Sequence, residues 1–135
     1  MIDDDPLARD ALALTLSDFG CRVLSAPSAA EALRRLADAE FPPQIVVSDY
    51  RLANNEDGLQ AIAALRENHR AWYGEDFPLP ALLVSGDTSP EELARVAKAG
   101  HPLLHKPVAA RRLYEALDGE LRVLARARDA TQPGA

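Results

Sequence analysis

The sequence predicts an α/β fold built on a parallel sheet, and three observations carry that prediction. Helix and strand signals alternate along the chain, the pattern of parallel strands joined by helical crossovers. Ile45-Val46-Val47-Ser48 is apolar without alternation until its last residue, as in a strand covered on both faces. Further short apolar runs, Leu82-Leu83-Val84 and Leu103-Leu104, lie close to a polar or charged residue, Ser85 and Lys106 respectively.

Taken in order, Asp5 is an N-cap and Pro6 the first helical residue, with Leu12, Leu16 and Phe19 recurring at helical spacing until Gly20. This gives a helix over residues 6–19. Residues 21–26 read as a short strand. Ser28-Ala29-Ala30-Glu31 then has capping-box spacing ahead of a second helix ending near residue 39. Phe41-Pro42-Pro43 breaks the pattern before the strand 45–48, with Asp49 at its carboxyl end. A polar loop follows, then a third helix over 58–68 with Leu59, Ile62, Ala63 and Leu65 largely on one face.

Residues 69–80 hold Trp72, Tyr73 and two prolines without a period and predict a long connection, with the aromatics either packed on the core or presented to a partner. The strand 81–84 follows. Ser89-Pro90-Glu91-Glu92 supplies an N-cap, a proline at the first helical position and a capping-box glutamate for a fourth helix, with Leu93, Val96 and Ala97 next and Gly100 as its end. Residues 103–105 form a minimal strand. Leu113, Leu117, Leu121 and Leu124 make the apolar stripe of a last helix, and the segment beyond reads as a frayed tail. The domain is therefore expected over 1–124 and a tail over 125–135.

The 135 residues suit one core. A net charge of −6 and a pI near 5.0 argue against a nucleic-acid surface, which needs a basic patch; Arg122, Arg126 and Arg128 read as a solvated helix face. One cysteine, Cys21, cannot form an internal disulfide and reads as a packing residue, and no export or membrane-spanning pattern is visible. A cytoplasmic domain is expected, free or tethered to a membrane sensor. His101 and His105 lack metal-binding partners in sequence and read as surface or packing residues.

In open parallel sheets, ligand sites form beyond the carboxyl ends of the strands. Asp3, Asp4, Asp49, Ser85 and Lys106 all fall at such ends. Clustered carboxylates repel one another unless cations offset them, and Mg²⁺ is commonly held by one or two carboxylates, waters and phosphate oxygens. Phosphoryl transfer needs its equatorial oxygens neutralised and positioned, which suits a metal, Lys106 and Ser85, with Asp49 as nucleophile. Singly, each element has a plainer reading: Asp3-Asp4-Asp5 as a solvated run, Ser85-Gly86-Asp87 as a loop signal, Pro107 as a helix start.

Together these elements resemble a receiver domain of a two-component response regulator or of a hybrid histidine kinase. Asp3-Asp4 match the acidic pair of that family, Asp49 its phosphoacceptor, Ser85 its switch hydroxyl, Gly86 the small residue after it, and Lys106-Pro107 its Lys-Pro pair. The resemblance covers about residues 1–124. It implies a flavodoxin-like, five-stranded parallel sheet of order 2-1-3-4-5. It also implies that Asp4, Asp49 and the backbone carbonyl of Arg51 bind Mg²⁺, that Asp3 acts mainly through water, and that the bond before Pro107 is cis. The resemblance further marks the positions of Arg51 and Asp87 as tuning water access to an acyl phosphate, and the expectation is an ion pair between them over the pocket mouth.

Three departures stand out. Leu103 occupies the position where the family usually carries an aromatic switch residue, the segment 100–106 is short, and only Met1 and Ile2 precede Asp3. The last of these predicts a truncated first strand. The motif surroundings are most like a bacterial receiver at the C-terminus of a hybrid histidine kinase.

What the resemblance implies is a phosphorelay phosphoprotein, taking its phosphoryl group from a histidine kinase or histidine phosphotransfer domain. Such a domain is no enzyme by itself beyond promoting its own phosphorylation and dephosphorylation, although its parent protein can be a kinase. Its signalling surface would be the fourth helix, last strand and last helix, with homodimerisation open there and no direct nucleic-acid or membrane contact. Two alternatives remain: a phosphorylation-independent pseudo-receiver, and a haloacid-dehalogenase-type phosphatase, which expects an acid where Arg51 stands.

Overall fold

Helices α1 (Pro6–Asp18), α2 (Ala29–Ala37), α3 (Gly58–Tyr73), α4 (Pro90–Ala99) and α5 (Ala110–Thr131) surround the strands β1 (Val46–Asp49), β2 (Ala81–Ser85) and β3 (Leu103–His105) in the computed structural model, which describes residues 1–86 and 89–131. The strands are parallel in the order β1-β2-β3, with Val46 opposite Ala81 and Leu83 opposite Leu103. The period of two along each strand divides the core. Val46, Ala81 and Leu83 pack with α2, α3 and Val96 of α4, whereas Val47, Leu82, Val84 and Leu104 pack with Leu12 and Leu16 of α1 and Leu113 and Leu117 of α5. Helices thus cover both faces, as the unbroken apolar strands require.

Among the described residues the regular sheet has three strands, not the five that the resemblance implied. The two missing ones are reduced to bridges: Ile2 pairs in parallel with Ala26 on one side and with Ser48 on the other. Ile2 N–H donates to the Val47 carbonyl at 2.8 Å and Asp49 N–H to the Ile2 carbonyl at 2.8 Å, while Asp3 N–H donates to the Ala26 carbonyl at 3.1 Å. The physical reason is local. In the segment 1–3, Ile2 is the residue that bridges to both sides, so residues 21–25 meet no run of partners there and form no ladder.

Helix ends follow the capping chemistry. Asp5 and Ser28 accept from Leu7 N–H and Glu31 N–H, and Gly100 closes α4 at φ 79°, a left-handed position that favours glycine. A further capping box, beyond those that the sequence predicts, joins Asp57 and Gln60 at the start of α3.

Two boundaries are corrected. The third helix runs on to Tyr73, because buried His69 continues the stripe of Ile62 and Leu65 and its polar side chain hides the period. Trp72 stands exposed on the last turn and Tyr73 packs against the His69 ring at 4.7 Å between centroids. The last helix likewise continues past Leu124 to Thr131, into the segment expected to be a tail. No helix among the described residues is long and apolar enough to cross a membrane.

Candidate functional site

Each chemical group of the site is delivered by the end of a strand or bridge. Ile2, held on both sides, fixes Asp3, which is fully buried; β1 ends in buried Asp49, β2 in buried Ser85, and β3 leads into Lys106. Parallel pairing with matched register brings these ends to one edge, which is why residues 103 positions apart touch.

Lys106 Nζ donates to Asp3 Oδ2 at 3.1 Å and lies 3.3 Å from Asp49 Oδ2. Its backbone N–H donates to the Ser85 carbonyl at 2.9 Å, tying the lysine loop to the end of β2. Asp3 Oδ1 accepts from Asp5 N–H at 3.0 Å, and the Asp3 carbonyl accepts from the Arg9 guanidinium at 2.8 Å. The Lys106–Pro107 bond is cis, as the resemblance implies.

Ligand oxygens of Asp3, Asp4 and Asp49 all lie within 4.8 Å of one another, with Asp4 exposed and the other two buried. Burial and then the Asp3 charge push the Asp49 carboxyl up to about 6 against the pull of Lys106, and Asp4 adds to the rise. For Lys106, burial works downward, but the hydrogen bond to Asp3 and the charges of Asp49 and Asp3 outweigh it and hold the ammonium above its ordinary range. One lysine therefore leaves the carboxylate cluster with uncompensated negative charge. Three carboxylates, one of them open to solvent, are a donor set that fits a hard divalent cation such as Mg²⁺.

The remaining expected residues divide. Leu103 opens β3, partly buried against Leu83 and the α2/α3 core, and provides no ring. The expected partner of Arg51, Asp87, lies outside the described residues. Arg51 Nε donates to Glu92 Oε1 at 2.7 Å. No acid therefore stands at the position that a haloacid-dehalogenase site needs.

Glu92 is the residue that sequence reasoning missed. Its spacing from Ser89 marks it as the carboxylate of a capping box, and Ser89 does accept from Glu92 N–H, but the side chain turns inward. Ser85 Oγ donates to Glu92 Oε2 at 3.2 Å. The usable signal is a second spacing: Glu92 and Val96 are the buried residues of α4, whereas Leu93 is exposed, so an acid sits on the inward stripe.

The sequence model of the response regulator receiver domain family matches residues 1–118. The chain belongs to the response regulator receiver domain family. The receiver is 31% identical over 130 residues to the transcriptional regulatory protein GlrR of Escherichia coli, covering 96% of this chain and 27% of that protein. It thus spans about a quarter of that relative. It is 36% identical over 109 residues to an uncharacterized 14.6 kDa protein from Leptolyngbya boryana, covering 80% of this chain and 77% of the other. Among solved structures, a response regulator receiver protein from Pseudomonas putida superposes with a TM-score of 0.69 at 32% identity, over 87% of this receiver and 92% of that chain.

Proposed function

We propose that this receiver accepts a phosphoryl group on Asp49 from the phosphohistidine of a histidine kinase or phosphotransfer domain, and that the modified form changes a partner-binding surface. The observation that carries this reading is the seating of Lys106 between Asp49 and Asp3 beside a three-carboxylate cluster. A carboxylate nucleophile needs a fixed cation near the oxygens it will attack through, and this one has it at 3.3 Å.

In the proposed transfer an Asp49 Oδ attacks phosphorus, the P–N bond to the donor imidazole breaks, and its electron pair leaves with the ring nitrogen. An acyl phosphate remains. Lys106 holds one phosphoryl oxygen and Ser85 another. Asp3, Asp4, Asp49 and the backbone carbonyl of Arg51 are the groups that would hold Mg²⁺, directly or through water. The bound cation would neutralise charge on the phosphoryl oxygens. The isolated domain promotes only its own phosphorylation and dephosphorylation.

Several finer points belong to the same reading. The bridges at Ile2 support the strand order 2-1-3-4-5, with segments 21–26 and 1–3 as its two reduced members. The phrases around Asp49, Ser85 and Lys106 favour a hybrid-kinase parent and hence a cytoplasmic location, with a DNA-binding regulator like the first relatives as the alternative parent. Homodimerisation, if it occurs, would use α4, β3 and α5. The intact lysine–carboxylate geometry weighs against the phosphorylation-independent pseudo-receiver, even though Leu103 removes the usual ring.

Acetyl phosphate with Mg²⁺ tests the reading. The wild-type chain is expected to gain one phosphoryl group by intact mass, lost in Asp49→Asn and in EDTA; equal labelling of wild type and Asp49→Asn would exclude it.

A further inference from the structure

Glu92 is a buried carboxylate with a cation on one oxygen and the Ser85 hydroxyl on the other. Its two partners stand at the ends of the two strands beside the site: Arg51 follows β1 by two residues and Ser85 is the last residue of β2. Glu92 itself lies in the first turn of α4, where its N–H donates to Ser89 Oγ at 3.3 Å while its carboxylate oxygens turn to Arg51 and Ser85. An acid on the inward stripe of a helix is retained only where its oxygens are satisfied.

We propose that Glu92 is a positioning residue for the phosphoryl-transfer site: it holds the Ser85 hydroxyl in the unmodified protein and gives it up to a phosphoryl oxygen on Asp49. The inference rests on the phosphoacceptor reading above. A hydroxyl has one proton to donate, so Ser85 cannot donate to Glu92 and to a phosphoryl oxygen at once. When the hydroxyl turns to the phosphoryl group, Glu92 Oε2 loses its donor in a buried setting. The first turn of α4 then has to shift or admit water, and Arg51 moves with the other oxygen. With Leu103 offering no ring, this exchange gives the modification a route to α4.

A double-mutant cycle on the rate of Asp49 labelling by acetyl phosphate with Mg²⁺ tests the exchange. The variants are Glu92→Gln, Ser85→Ala and the pair, with Asp49→Asn as the blank and circular dichroism melts to confirm folding. With Ser85 present, releasing its hydroxyl through Glu92→Gln is expected to raise the labelling rate about threefold or more, the size of effect that contacting residues give. In the Ser85→Ala background the same substitution is expected to change nothing. Amide shifts of Leu93 to Val96 on labelling are expected in the wild type and absent in Glu92→Gln.

An equal effect of Glu92→Gln in both backgrounds, or none in either, would overturn the exchange while labelling at Asp49 left the receiver reading standing. If the wild type itself took no label, the underlying reading would fail and the inference with it. Should Glu92→Gln fold poorly, Arg51→Ala supplies the second test. Its loss frees Glu92 from the other side, and its effect must likewise vanish in the Ser85→Ala background.

Discussion

Asp49 illustrates how a single carboxyl can carry both the chemistry and a cost to the fold. Its ordinary value is 3.8 and the folded protein holds it at about 6, because burial and Asp3 outweigh Lys106. The native state therefore binds this proton more tightly than the unfolded chain. The contribution to stability is fully present below about pH 4, falls as pH rises, and is lost once pH passes about 6. In EDTA, Asp49→Asn lacks that decline. The expected result is a melting-temperature advantage of Asp49→Asn over wild type that widens between pH 4 and 6 and then stays level; saturating Mg²⁺ should narrow it. A gap independent of pH would show that burial and Asp3 do not hold Asp49 above its ordinary value. Residue identity and strand-end position made Asp3, Asp4, Asp49, Ser85 and Lys106 legible in the sequence. Glu92 was not, because a serine–glutamate pair at capping-box spacing has a local explanation, and only the packing of α4 against the ends of β1 and β2 reveals the other use.

Between elements, the closest approach in the site is made by a glycine. Gly58 opens α3 directly behind Asp49: a Cβ there would lie 2.6 Å from the Asp49 carbonyl oxygen and 2.6 Å from Leu83 Cδ2. Gly58 N–H also donates to the Tyr50 carbonyl at 2.6 Å, so the helix cannot simply back away. Gly58→Ala is expected to lower stability by about 1–3 kcal/mol, the range for forced overpacking, and to slow Asp49 labelling because the clash falls on the acceptor's own backbone. Urea midpoints and the labelling rate measure the two effects; an unchanged midpoint would mean that the helix start has slack. The same scale explains which elements the sequence conveyed. Helices with apolar stripes and capped starts were readable, whereas the end of α3 was hidden by a buried histidine and the segment 21–26 by depending wholly on a partner strand. Strand propensity alone does not make a strand when the neighbour offers a single pairing residue.

Across the whole molecule, the segment without a ladder borders open space. An apolar cavity of about 780 Å³ lies beside the Ile2 bridges, bordered by Val23 and Leu24 on one side, Ile45 and Val47 on another, and Leu16 and Leu121 from the helices. Its walls include the segment 21–24, which forms no ladder, and the stretch leading into β1, so it has the place of a strand running in parallel between them. Ile2 shows the pairing such a strand would extend, since its own backbone bonds to Val47 and Asp49 on one side while Met1 and Asp3 beside it bond to Ala26 on the other. Four alternating apolar residues added ahead of Met1 are therefore expected to enter this space, convert the bridges into ladders and raise the melting temperature by roughly 3 °C or more, as about 1 kcal/mol does in a domain of this size. Hydrogen exchange at Arg22 and Leu24 gives the local readout, because their N–H groups face the same side as that of Ala26, which donates to the Met1 carbonyl, and new ladder bonds should protect them. Added residues that left both the melting temperature and that exchange unchanged would show that helices and loops fill the gap in solution, and the two-sided hold on Ile2, on which the position of Asp3 depends, would have to come from side-chain packing instead.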